Sequence, residues 1–173
     1  MLEERIDFSR ENLGAATRIT MSAVFRGVRH EVSFTLPEDL VKSNFYKGVF
    51  TADIGHYSGV HAFIESANNN SDLVFVNFID YPMLDPSPPN MFTVHVAWTG
   101  NDSRFVGKFF KLLPHIFLDN FQSVLWIDSN MILSPIDDFF ESVNSYDFVC
   151  LLHDKRMSIP SEADELILHG KDD

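Results

Sequence analysis

The sequence predicts an α/β fold: a mainly parallel sheet with helices on both faces. Three observations predict it. From Lys47 onward, short apolar runs with strand character alternate with stretches whose apolar residues recur at helical spacing. The runs are nearly continuous in apolar residues, as strands buried on both faces must be. Four of these runs also end at a polar residue, Asp53, Asp80, Asp128 and His153 in turn. In open parallel sheets, ligands bind outside the carboxyl ends of the strands.

The elements follow in order. Residues 1–46 form an accessory N-terminal segment. In it Val24-Phe25, Arg26-Gly27 and the alternating Val32, Phe34 and Leu36 suggest a hairpin or a pair of edge strands, and Pro37-Glu38-Asp39 opens a short, helix-compatible connector. Residues 47–173 form the second region. Gly48–Ala52 is a buried strand ended by Asp53-Ile54-Gly55-His56-Tyr57, and Val60–Ala67 is a helix. Leu73–Phe78 is a strand followed by Asp80 and a loop broken by Pro82, Pro86, Pro88 and Pro89. Phe92–Val96 alternates as a third strand. Phe105, Phe109, Leu112, Leu113 and Ile116 mark a helix reaching Phe117, and Ser123–Ile127 is the next strand. Ile136–Val143 reads as a helix, Asp147–Leu152 as a strand and Pro160–Leu168 as a short helix with an acidic first turn.

Composition narrows the function classes. The 173 residues suffice for one compact core, and 17 phenylalanines imply that it is rich in aromatics. A net charge of −12 disfavours nucleic-acid binding, which needs a basic surface. A small phosphorylated ligand remains compatible with that charge if a divalent cation or local lysines meet it. Cys150 is the single cysteine, so an internal disulfide and a cysteine-rich zinc site are both excluded, and a buried thiol is expected there. No apolar run reaches the roughly 18 residues of a membrane span, and the first residues lack a secretory pattern, so a cytoplasmic location is expected if the source is bacterial.

The clearest chemical feature is Leu125-Trp126-Ile127-Asp128-Ser129-Asn130. In extended backbone, positions i and i+2 point to one side, so Asp128 and Asn130 offer a carboxylate and an amide carbonyl to one cation. Such hard oxygen donors suit magnesium or manganese, which complete their shells with water and substrate phosphates. Ser129 could donate to the same substrate. The alternative is a strand-end turn in which Asp128 caps nearby backbone N–H groups. Upstream, Arg104, Lys108 and Lys111 follow i, i+4, i+7 spacing along one helical face, a stripe that either meets phosphate or is simply solvated. His153-Asp154-Lys155-Arg156 is a further charged cluster in which His153 could be a ligand, an acid or base, a sugar contact or simply an exposed loop histidine, and Arg156 could pair with phosphate or with Glu162. Tyr57 could stack on a base or a sugar, or pack under a loop. P-loop, nucleophile-elbow and dinucleotide fingerprints are absent.

Together these motifs resemble a glycosyltransferase-like family that includes the TOD/MUCI-type plant proteins and bacterial polysaccharide-cluster proteins. The resemblance spans about residues 47–167. Val49 through Tyr57 resembles the family's opening strand and Gly-x-Tyr turn, and Phe78-Ile79-Asp80 its Phe-x-Asp. Arg104 through His115 is similar to its basic helix closing in Lys-x-x-Pro-His, and Trp126 through Asn130 to its Trp-Ile-Asp-Gly-Asn motif. His153 through Arg156, with Glu162-Ala163, is similar to its His-x-x-Arg and Glu-Ala segments. Two positions depart from the pattern: Ser58 replaces the usual Asp, and Ser129 the usual Gly.

The resemblance implies a GT-A-like, Rossmann-like fold and a metal-dependent transfer of sugar from a nucleotide-diphosphate donor to a glycan or other hydroxyl acceptor. It implies Mn2+ or Mg2+ at Asp128 and Asn130. Donor contacts are implied at Tyr57, Asp80, Arg104, Lys108, Lys111, Asp128 and Ser129, and sugar or acceptor contacts at His115, His153, Arg156 and Glu162. No catalytic base is named. The chain stops at Asp173, before a segment with which the family is expected to complete its site, so a non-catalytic binding or regulatory module is the competing expectation. A metal-dependent phosphoesterase would need more ligands near Asp128 than the sequence supplies.

Overall fold

A computed structural model describes residues 6–25, 27–56, 58–83, 86–134 and 140. In chain order the elements are β1 (Asp7–Asn12), β2 (Ala16–Phe25), β3 (Val28–Pro37), α1 (Glu38–Lys42), β4 (Phe45–Asp53), α2 (His61–Asn69), β5 (Val74–Ile79), β6 (Met91–Thr99), α3 (Ser103–Leu112), a 3-10 turn (Pro114–Ile116) and β7 (Phe121–Trp126). The expected helix and strand over Ile136–Val143 and Asp147–Leu152, and the helix over Pro160–Leu168, lie outside the described residues, apart from the helical Phe140.

Among the described residues the seven strands form one sheet in the order β1-β2-β3-β6-β5-β4-β7. β4 pairs in parallel with β5 and β7, and β5 pairs in parallel with β6. The pairs β1–β2, β2–β3 and β3–β6 are antiparallel. The sheet is therefore mixed, and it curls into a half-barrel with few helices. This corrects the GT-A-like, Rossmann-like expectation of a mainly parallel sheet sandwiched by helices.

Two physical reasons account for the difference. The strict alternation of β3 buries His30, Val32, Phe34 and Leu36 on one side, and β2 likewise buries Ile19 and Met21. That pattern makes antiparallel strands with one wet face, and Gly27 turns the β2–β3 hairpin at φ 77°. The second reason is the β5–β6 connection, where Pro82, Pro86, Pro88 and Pro89 disfavour a crossover helix, and none is found among its described residues.

Apolar side chains gather in two clusters. In the larger, Phe34 of β3, Phe78 of β5, Phe110 of α3 and Phe117 meet ring to ring, with centroids 4.6–5.7 Å apart. Each such pair contributes about 0.5–1.5 kcal/mol beyond its buried area. This cluster holds α3 on the sheet. The smaller cluster seats α2 through Phe63 and Ala67 against Val49, Phe75 and Ile79. Between them the helices leave the carboxyl ends of β4, β5 and β7 side by side.

Candidate functional site at the carboxyl edge

Because β4, β5 and β7 run parallel, Asp53, Asp80 and Asp128 emerge at the same edge. They do different work there. Asp53 is 2% exposed and accepts backbone N–H groups from Ser58 at 3.2 Å and Gly59 at 2.8 Å, together with the Tyr81 hydroxyl at 2.6 Å. A carboxylate so deep needs such donors to offset its lost hydration. It thereby shapes the β4–α2 loop. Burial first, then the hydrogen bond and charge of Asp53 and the charge of Asp80, push the Tyr81 phenol well above the usual tyrosine range.

Asp80 folds the same loop from the other side. Both of its oxygens lie 3.0 Å from the Gly55 N–H, and Oδ2 also accepts from Trp98 Nε1 at 2.7 Å. Gly55 adopts φ 81°, and a side chain there would meet Ser103 at 2.6 Å, so this close approach requires glycine. His56 follows at φ 54°, a left-handed conformation that non-glycine residues seldom adopt. Its exposed ring stacks on Tyr81 at 4.1 Å and 15°.

Asp128 lies just beyond β7 in a turn closed by the Met131 N–H donating to the Asp128 carbonyl at 2.9 Å. Asp128 and Asn130 are exposed, while Ser129 between them is buried and bonded to the Ser58 hydroxyl at 2.5 Å. That bond fastens the turn to the β4–α2 loop. The Asp128 carboxylate accepts from Trp126 Nε1 at 2.9 Å and pairs with Lys111 Nζ at 3.7 Å, both through Oδ1. Lys111 Nζ also lies 5.4 Å from the centre of the Trp126 ring.

The basic stripe divides. Arg104, Lys108 and Lys111 are all exposed on α3, but Arg104 turns back to Asp102, the residue capping that helix, with two contacts of 3.3 Å. The Arg104 hydrogen bond holds the Asp102 carboxyl below its usual range. Lys111 alone of the three has an ion pair with Asp128. His115 is exposed in the 3-10 turn. Tyr57, Cys150, His153, Arg156 and Glu162 lie outside the described residues.

Sequence reasoning missed Asp53 as the loop's anchor, and missed Tyr81 and the His56 ring stacked on it. The signal for Asp53 was present: a carboxylate closing a largely buried strand demands buried partners. The Asp53–Tyr81 bond joins residues 28 positions apart and left no local pattern.

Among the described residues, no group of three or more His, Cys, Asp or Glu side chains could by itself hold a metal. The donors at the turn nevertheless fit a hard cation that takes most of its shell from water and phosphate. They are an exposed carboxylate at Asp128 and an exposed amide carbonyl at Asn130, but the turn closed by Met131 replaces the extended backbone that was expected to aim both to one side, so exposure alone offers them to a cation. Also among the described residues, no helix is long and apolar enough to cross a membrane. Comparison with family models, with curated proteins and with solved structures finds no match to this chain.

Proposed function

We propose that the chain binds a nucleotide-diphosphate sugar at the carboxyl edge of β4, β5 and β7 and serves a metal-dependent glycosyltransferase reaction. The observation that carries this reading is the Ser58–Ser129 bond, which fixes the Asp128 turn beside the β4–α2 loop and leaves Asp128 and Asn130 exposed. Asp128 and Asn130 would hold Mn2+ or Mg2+. Bound there, the cation would supply Lewis-acid stabilisation of the diphosphate leaving group.

The chain's own residues do the rest. Lys111 already lies beside Asp128, and Lys108 is exposed one turn earlier on α3, so both bring positive charge toward the diphosphate. The outer face of the His56 ring offers a planar surface to the base, its inner face being held by Tyr81. Tyr57 is assigned to base or ribose. Asp80 acts through Gly55 and Trp98, holding the loop that carries His56. His115, His153, Arg156 and Glu162 are assigned to the sugar or to a hydroxyl acceptor.

Calorimetric titration of nucleoside diphosphates, with and without Mn2+, tests the reading. Metal-dependent binding should fall at least tenfold in Asp128→Ala. Binding that is equally tight in this variant would remove Asp128 from the site.

A further inference from the structure

We propose that Lys111 is an internal competitor for the cation at Asp128, so that metal alone is held weakly until a diphosphate draws the lysine away. The inference rests on the proposed cation site. Its basis is that one oxygen, Asp128 Oδ1, receives both the Lys111 ammonium at 3.7 Å and the Trp126 N–H at 2.9 Å. The indole fixes this arrangement from two directions. It donates to the carboxylate at its edge, and its ring lies 5.4 Å below the ammonium. Trp126 is itself set edge-on against Phe50 at 5.3 Å and 77°, so the indole is held in place by the sheet.

An ammonium 3.7 Å from Oδ1 and a divalent cation on the same carboxylate repel each other, modestly at this solvent-screened position. Arrival of the cation therefore favours movement of the ammonium. Lys111 can do this because its side chain is 52% exposed on a flexible four-carbon stem. A diphosphate gives the displaced ammonium a new partner within reach of the same stem. Metal and diphosphate are consequently favoured together over metal alone, which limits occupancy by stray divalent ions on a chain of net charge −12.

The test is Mn2+ binding to the full chain without nucleotide, read from the paramagnetic resonance signal of free Mn2+. Lys111→Met should tighten Mn2+ binding about two- to fivefold, the range an exposed ion pair supports. Lys111→Gln should do the same. Lys108→Met removes the same charge from the same helix without touching Asp128 and should change affinity by much less. Equal gains from the Lys111 and Lys108 variants would mean a general field effect and overturn the proposal, as would unchanged affinity in Lys111→Met. Asp128→Asn separates the two ideas. If Mn2+ binding ignores that substitution, the cation site itself is lost and this inference with it. Binding that depends on Asp128 but not on Lys111 overturns the competition alone.

Discussion

Tyr81 donates its hydroxyl to a carboxylate that is almost wholly buried, and this makes one residue responsible for an alkaline limit on stability. Burial and the neighbouring Asp53 and Asp80 raise its phenol above the ordinary value of 10.0. The folded chain thus holds that proton more tightly than the unfolded chain does. The resulting stabilisation is complete below the unfolded value and is lost as pH rises beyond it. Urea unfolding between pH 9 and 11 should show stability falling with pH, and Tyr81→Phe should flatten that fall. An equal slope in both proteins would show that another group is responsible. The same residue links chemistry to shape, because the loop anchored by Asp53 and Tyr81 is the one that holds His56 left-handed and exposed.

At the level of elements, the position of the Asp128 turn depends on how closely β7 approaches β4. Gly48 permits that approach, since a methyl group there would lie 2.4 Å from the Phe121 ring. Phe121 in turn stacks on Phe45 at 4.8 Å and 27°, which leaves the ring little room to retreat. Gly48→Ala should therefore cost about 1–3 kcal/mol, the usual range for overpacking. Its partner test is a double-mutant cycle in which Phe121→Leu recovers part of the loss. Strict additivity in chemical denaturation would mean that the two side chains do not interfere. The pairing of β4 with β7 was not written in either strand, because Val49 and Leu125 look alike as apolar strand residues and acquire a common face only on pairing.

Across the whole molecule the dominant quantity is a net charge of −12. Like charges spread over a curled sheet repel one another and disfavour the compact state. Salt should relieve this, because the screening length shortens from about 30 Å at 0.01 M to about 8 Å at 0.15 M. Calorimetric Tm should accordingly rise over that interval of NaCl. A flat or falling Tm would mean that local pairs such as Arg10–Asp119, at 2.8 Å, outweigh the general repulsion. Against that acidic background, Lys111 beside Asp128 is the cationic group on which the proposed diphosphate site leans most.

Strand positions were legible in the sequence because burial on one or both faces imposes a period that a short window reveals. The runs at Phe50, Phe75 and Leu125 all lie in strands, and Asp53, Asp80 and Asp128 stand at or just beyond their carboxyl ends. Strand direction was not legible, because a parallel and an antiparallel neighbour can present similar apolar residues. Only folding decided that β3 meets β6 antiparallel, making the sheet mixed. The ownership of each carboxylate was also decided by the tertiary structure. Asp80 is engaged by Gly55 and Trp98, Asp53 by Tyr81 and two backbone N–H groups, and Asp128 by Trp126 and Lys111. Several of these partners lie far along the chain, and hydrogen bonding is a property of distance in space, on which local spacing is silent.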